Sequence, residues 1–118
     1  MSYIYEYNKL VRDKIPTRII SRGAKPKYRT LNEEEYLKEL NKKIIEEATE
    51  FIEDNSLEEL ADLIEVCESI MKVKNYSWDE VEEAQKNKLE KNGGFYERIF
   101  LETVEEDTIN EKEEKYRK

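Results

Sequence analysis

Apolar residues recur at helical spacing through the middle of the chain. Leu37, Leu40, Ile44, Ala48 and Phe51, with Ile52, form one stripe and predict a long helix over about residues 33–53. Asp54 and Asn55 interrupt it. Ser56 then opens a second long helix, with Glu59 three residues later as a capping-box partner. Its main stripe is Leu57, Leu60, Ala61, Ile64, Cys67 and Met71, and Leu63, Val66 and Ile70 widen that stripe to well over half the circumference. A helix that apolar is buried on more than one side. In so small a domain the second side is expected to be a partner subunit. Asn75 and Tyr76 end this helix. Ser77 with Glu80 forms a second capping box that opens a helix to about Lys91, which Asn92-Gly93-Gly94 stops.

Toward the amino terminus, Pro16 suits the first turn of a short helix running to about Arg22, with Gly23 as its stop. Residues 24–32, containing Pro26, read as a connector. Residues 95–104 alternate irregularly, as a short strand or an extended packing arm, and 105–118 form a charge-dense tail. The expected fold is all-α, a helical-hairpin bundle completed by oligomerisation, with one domain over 1–104 followed by the tail.

Composition narrows the functional classes. A chain of 118 residues is one domain by size and supports only a modest core. Its 37% hydrophobic and 42% charged content suits a thin helical domain that joins its core to another copy, as a homodimer or homotetramer. The net charge of -8 argues against a nucleic-acid polymer as partner and against an anionic membrane surface. No apolar run approaches the roughly 20 residues of a membrane span. The segment beginning Met1-Ser2-Tyr3-Ile4-Tyr5 lacks the pattern of a secretory signal, so a cytoplasmic address is expected. Cys67 is the sole cysteine, which leaves no disulfide framework or thiolate cluster, and on the apolar stripe it reads as inert core. The chain has no His, so any catalysis falls to carboxylates, Lys, Tyr or a metal.

Charge patterning supplies the candidate chemistry. Between Lys43 and Lys72 lie 28 residues with ten acids and no basic side chain. Like charges at i,i+4 cost helices about 0.2–0.5 kcal/mol per pair, so a stretch that keeps only the repulsive partners calls for another neutraliser. Within it, Glu47-x-x-Glu50 and Glu59-x-x-Asp62 each place two acids on one helical face. Antiparallel helices joined by a tight turn bring the two pairs face to face, and four such oxygens suit octahedral Mg²⁺. Every charged neighbour of Asp62 and Glu50 one turn away on its own helix is acidic. The alternative is a solvated acidic face, with Lys42 and Lys43 pairing to Glu46 and Glu47 and Glu59 serving only as a cap. Residues 9–29 are the electrostatic mirror: eight Lys and Arg against Asp13 alone.

The two acidic patterns, EExxE followed by EELAD, resemble the all-α nucleoside triphosphate pyrophosphohydrolases. The likeness is closer to small MazG-like, phosphoribosyl-ATP pyrophosphohydrolase-like proteins. Three segments in order carry it: Asn8-Lys9-Leu10-Val11-Arg12-Asp13-Lys14-Ile15-Pro16, the acidic pair, and Lys88-x-x-x-Asn92-Gly93-Gly94-Phe95 followed by Arg98-Ile99-Phe100-Leu101. Together they span about residues 7–102. The resemblance implies a Mg²⁺-dependent hydrolase, with Mn²⁺ as a substitute, that cleaves a nucleotide between the α- and β-phosphates. It implies Glu47, Glu50, Glu59 and Asp62 as metal ligands and Glu46 as an extra acid. The gap between the two acidic motifs is shorter here than in many MazG proteins, which demands a tight hairpin.

General chemistry adds Glu46 or Glu47 as base. Lys9, Arg12 and Lys14, with Lys88, Lys91 and Asn92, are candidates for contacting substrate. Tyr3, Tyr5 and Tyr7 stack on a base or pack at an interface, and Trp78 reads as a packing anchor. Two competing functions stay open: a specialised phosphoribosyl-ATP or alarmone hydrolase, and a non-enzymatic oligomeric interaction protein that keeps the fold.

Overall fold

The computed structural model describes residues 1–107. Those residues form four helices, α1 (Ile15–Ser21), α2 (Glu33–Asp54), α3 (Leu57–Lys74) and α4 (Trp78–Asn92), and no strand. Residues 95–104 are therefore not a strand. Phe95, Tyr96, Ile99 and Phe100 stand almost fully exposed there, so they are not packed as an arm either. Of the charged tail, residues 108–118 lie outside the described residues. No described helix is long and apolar enough to cross a membrane.

The chain divides into two compact units, Met1–Val81 and the part from Glu82 onward. The first unit holds α1, α2, α3 and the opening turn of α4. The second holds the rest of α4 and the segment after it.

Local chemistry explains the helix ends. Asn32 caps α2, its Oδ1 accepting from the Glu35 N–H at 2.9 Å. Glu33, Glu34 and Glu35 fill the first turn, where the helix dipole favours acids. Arg29 reaches the Glu35 carboxylate at 3.0 Å and ties the connector to the same turn. Asn55 ends α2 in the left-handed region at φ 52°, its N–H donating to the Phe51 carbonyl. Asn tolerates that conformation better than most residues. Ser56 caps α3 at once, Oγ accepting from the Glu59 N–H at 3.2 Å. A left-handed Asn followed directly by an N-cap turns the chain within two residues. Asn75, at φ 59°, repeats the stop at the end of α3, where the Tyr76 N–H closes onto the Met71 carbonyl at 2.9 Å. Before α4 the capping box is complete: Glu80 N–H donates to Ser77 Oγ, and Ser77 N–H to Glu80 Oε1, both at 3.1 Å.

The tight turn folds α3 back along α2, and these two helices pack together. The core between them is small. Leu40 is 2% exposed and Val66 7%, the buried hydrophobic residues of the described chain. Leu37, Ile44, Ala48, Phe51 and Leu63 are half-buried. Much of the wide apolar arc of α3 faces outward instead: Leu57 is 77% exposed and Ile64 46%. On α2, Ile45 and Ile52 are exposed as well. Cys67 is half-buried on α3, and Trp78 is half-exposed with Nε1 donating to Glu68 at 3.3 Å. Cys67, read as core from the apolar stripe, is thus only partly buried, and Trp78, read as a packing anchor, keeps 46% of its surface exposed.

With so few buried side chains, Leu40 carries a large share of the hairpin's stability. Leu40→Ala is expected to lower the unfolding free energy by about 2–4 kcal/mol. Urea unfolding at fixed protein concentration checks this, as a lower midpoint with unchanged slope.

Candidate functional site

Glu47 and Glu50 lie in the last two turns of α2, and Glu59 in the first turn of α3. The turn at Asn55-Ser56 therefore sets them across from one another. One carboxylate oxygen from each of the three falls within 4.8 Å of the others. The group is partly withdrawn from water: Glu47 is 7% exposed, and Glu50 and Glu59 are half-buried. Glu47 Oε2 and Glu59 Oε2 are buried with no hydrogen-bond partner. Such orphaned carboxylate oxygens are costly unless something compensates them. The Ser56–Glu59 cap also leaves the Glu59 side chain unexplained, because the cap uses its backbone N–H while its Oε2 stays free.

Asp62, one turn further along α3, is not part of this triad. It accepts a 2.7 Å hydrogen bond from Arg12 Nη2, an ion pair joining residues fifty positions apart. Its lack of a partner within its own helix is thus made good by the amino-terminal segment. Glu46 lies between Lys9 Nζ at 3.8 Å and Lys43 Nζ at 3.4 Å. Lys43 also reaches Glu47 Oε1 at 3.6 Å. Lys42 turns the other way, to Glu39 at 3.2 Å.

Sequence spacing thus places Glu47, Glu50 and Glu59 together, with Asp62 and Glu46 beside them. Lys9 and Arg12 are drawn to the rim by the acids. Lys14 is the residue before α1 and is exposed. Lys88, Lys91 and Asn92 lie exposed in the last two turns of α4, within the second unit. Tyr3, Tyr5 and Tyr7 are exposed. That Lys9 to Lys14 form a basic arm pairing with the acidic helices is one reading the sequence offers, and the structure supplies the partners, Lys9 with Glu46 and Arg12 with Asp62. No local spacing signals which acid each one meets, because only the fold brings them together.

The electrostatics follow from crowding. Desolvation first, then the neighbouring Glu50 carboxylate, pushes Glu47 above its ordinary carboxylate value; Lys43 opposes the rise and Asp62 adds to it. Glu59 is raised as well, again by desolvation first and then by Glu50, Asp62, Asp54 and Glu47. Both oxygens that lack a donor belong to these two residues. A divalent cation fits this donor set, which offers hard oxygen ligands, unsatisfied lone pairs and a surplus of negative charge. Glu47, Glu50 and Glu59 would hold it directly.

A raised carboxyl value means that the folded chain binds protons more readily than the unfolded chain. The stability contributed by Glu47 and Glu59 is therefore full at pH below their ordinary value and falls as pH rises through the raised values. Glu35, lowered chiefly by its hydrogen bond with Arg29, acts in the opposite sense, so the variant difference is the clean measure. In EDTA, Glu47→Gln is expected to raise stability at pH 7, with a gain that shrinks toward pH 4.5; urea midpoints across that range check it. Comparison with protein-family models, with curated proteins and with solved structures gives no match.

Proposed function

We propose that the chain is a Mg²⁺-dependent nucleotide pyrophosphohydrolase, which splits a nucleoside triphosphate or related nucleotide into a monophosphate and pyrophosphate. The observation that carries this reading is the triad itself: three carboxylates within 4.8 Å, two of them with a buried oxygen that has no partner. The MazG-like pattern of the sequence agrees with it, since its two acidic motifs supply these residues.

When bound, Mg²⁺ supplies charge neutralisation for phosphate oxygens and a more acidic water. The remaining roles fall to the chain. Glu47, Glu50 and Glu59 would hold the ion, and Asp62, paired with Arg12, would be a further candidate ligand. Glu46, outside the triad and half-buried, would accept a proton from an attacking water. Glu47, a ligand with its own raised carboxyl, is the weaker candidate for that role. Lys9, Arg12 and Lys14 meet the phosphate oxygens, where fixed positive groups stabilise developing charge.

The same reading includes a homodimer or homotetramer. Leu57 and Ile64 on α3, with Ile45 and Ile52 on α2, form more apolar surface than a hairpin with two buried hydrophobic residues sustains alone.

One observation favours a non-enzymatic alternative. Lys9, Arg12 and Lys43 already neutralise part of the acidic face without any ligand. In that case the hairpin serves only as an assembly module.

Two measurements decide. Pyrophosphate release from a panel of ribo- and deoxynucleoside triphosphates is expected with Mg²⁺, and is expected to vanish with EDTA or in Glu50→Gln while the protein stays folded. Release that persists in Glu50→Gln, or no release from any nucleotide, counts against the enzyme. Sedimentation at micromolar concentration is expected to give a dimer or tetramer, and Ile64→Lys to shift it toward monomer.

A further inference from the structure

The amino-terminal arm pairs with the acids around the site. Of the four acids that the spacing brings to the turn, three point oxygens at one another, while Asp62 is engaged by Arg12 at 2.7 Å. Glu46, next to Glu47 in the chain, lies 3.8 Å from Lys9. Two basic residues of one segment thus occupy two acids on different helices.

We infer that this arm is a displaceable counter-ion: Arg12 and Lys9, paired with Asp62 and Glu46, transfer to phosphate oxygens when a divalent cation is held at the triad. The inference rests on the metal-site reading given above and adds a regulated order of binding to it.

Three observations carry it. The Arg12–Asp62 pair is exposed, with 60% of the Arg12 side chain and 40% of the Asp62 side chain open to solvent. Exposed pairs are weak, equivalent to about a fivefold change in an equilibrium constant at most, so the contact is easily surrendered. Next, the segment before Ile15 has no regular structure, so the two side chains can leave without unwinding a helix. Finally, the exchange conserves charge matching. A dication takes the carboxylates, and the released guanidinium, a planar fork of donors, suits the phosphate oxygens that arrive beside it. Arg12 therefore has two exclusive partners of the same sign, and its loss has opposite effects on the two ligands.

The test uses the full chain with Mn²⁺ and inorganic pyrophosphate as probes. By calorimetry, Arg12→Gln is expected to tighten Mn²⁺ binding about two- to fivefold. It is also expected to weaken pyrophosphate binding in the presence of Mn²⁺. Arg18→Gln, the same charge change on α1, is expected to alter neither. Trypsin cleavage of the wild type after Arg12 is expected to quicken with Mn²⁺ alone and to slow when pyrophosphate is added. Neither change should occur in Glu50→Gln.

If Mn²⁺ binding depends on Glu50 but Arg12→Gln leaves it unchanged or weakens it, the handover is wrong and the metal site stands. An Arg18→Gln effect equal to that of Arg12→Gln reduces the result to net charge and overturns the handover. Mn²⁺ binding indifferent to Glu50→Gln overturns the metal-site reading and the handover together.

Discussion

Like charges held close together at one end of a helical hairpin set the terms for the rest of this structure. Glu47, Glu50 and Glu59 repel one another in surroundings that screen them poorly, and two of their oxygens lack any donor. Folding alone gives no reason to accumulate that cost. The geometry that imposes it is the two-residue link at Asn55-Ser56, which leaves the ends of α2 and α3 no room to separate. The raised carboxyls, the inward reach of Lys43 and the docking of Arg12 and Lys9 are all responses to the same excess of negative charge.

That excess also explains why the hairpin is modest as a folding unit. The residues that would complete a core near the turn are carboxylates, so burial is concentrated further along, at Leu40 and Val66. The apolar surface of α3 is then available outside the hairpin. A site that destabilises its own scaffold thus coincides with a scaffold that leaves apolar area exposed.

Much of this was legible along the chain because it depends on short-range rules. The stripe from Leu37 to Phe51, the stops at Asn55 and Asn75, and the caps at Ser56 and Ser77 each involve residues within one or two turns, and the helices begin and end within a residue or so of those signals. The triad was legible for the same reason, once the turn was recognised as tight. What sequence could not give was the fate of groups whose partners are remote. Asp62 looked unpartnered among acidic neighbours on α3, and only the return of the amino-terminal segment supplies Arg12. Residues 95–104 show the opposite failure. Their apolar alternation reads as something packed, yet periodicity does not report whether a packing surface lies within reach, and their side chains are exposed.

The position of the triad close to the turn has a mechanical consequence. Two helices joined by a short link splay about that link, and displacement grows with distance from it. Glu50 is four residues before the end of α2 and Glu59 two residues after the start of α3. At 1.5 Å per residue, a 10° splay moves groups at that depth apart by about 1 Å, whereas the far end of α3 would shift by about 5 Å. The lever arm is short where Glu50 and Glu59 sit and long at the far end of α3. Breathing of the hairpin is thus geared down before it reaches these carboxylate oxygens.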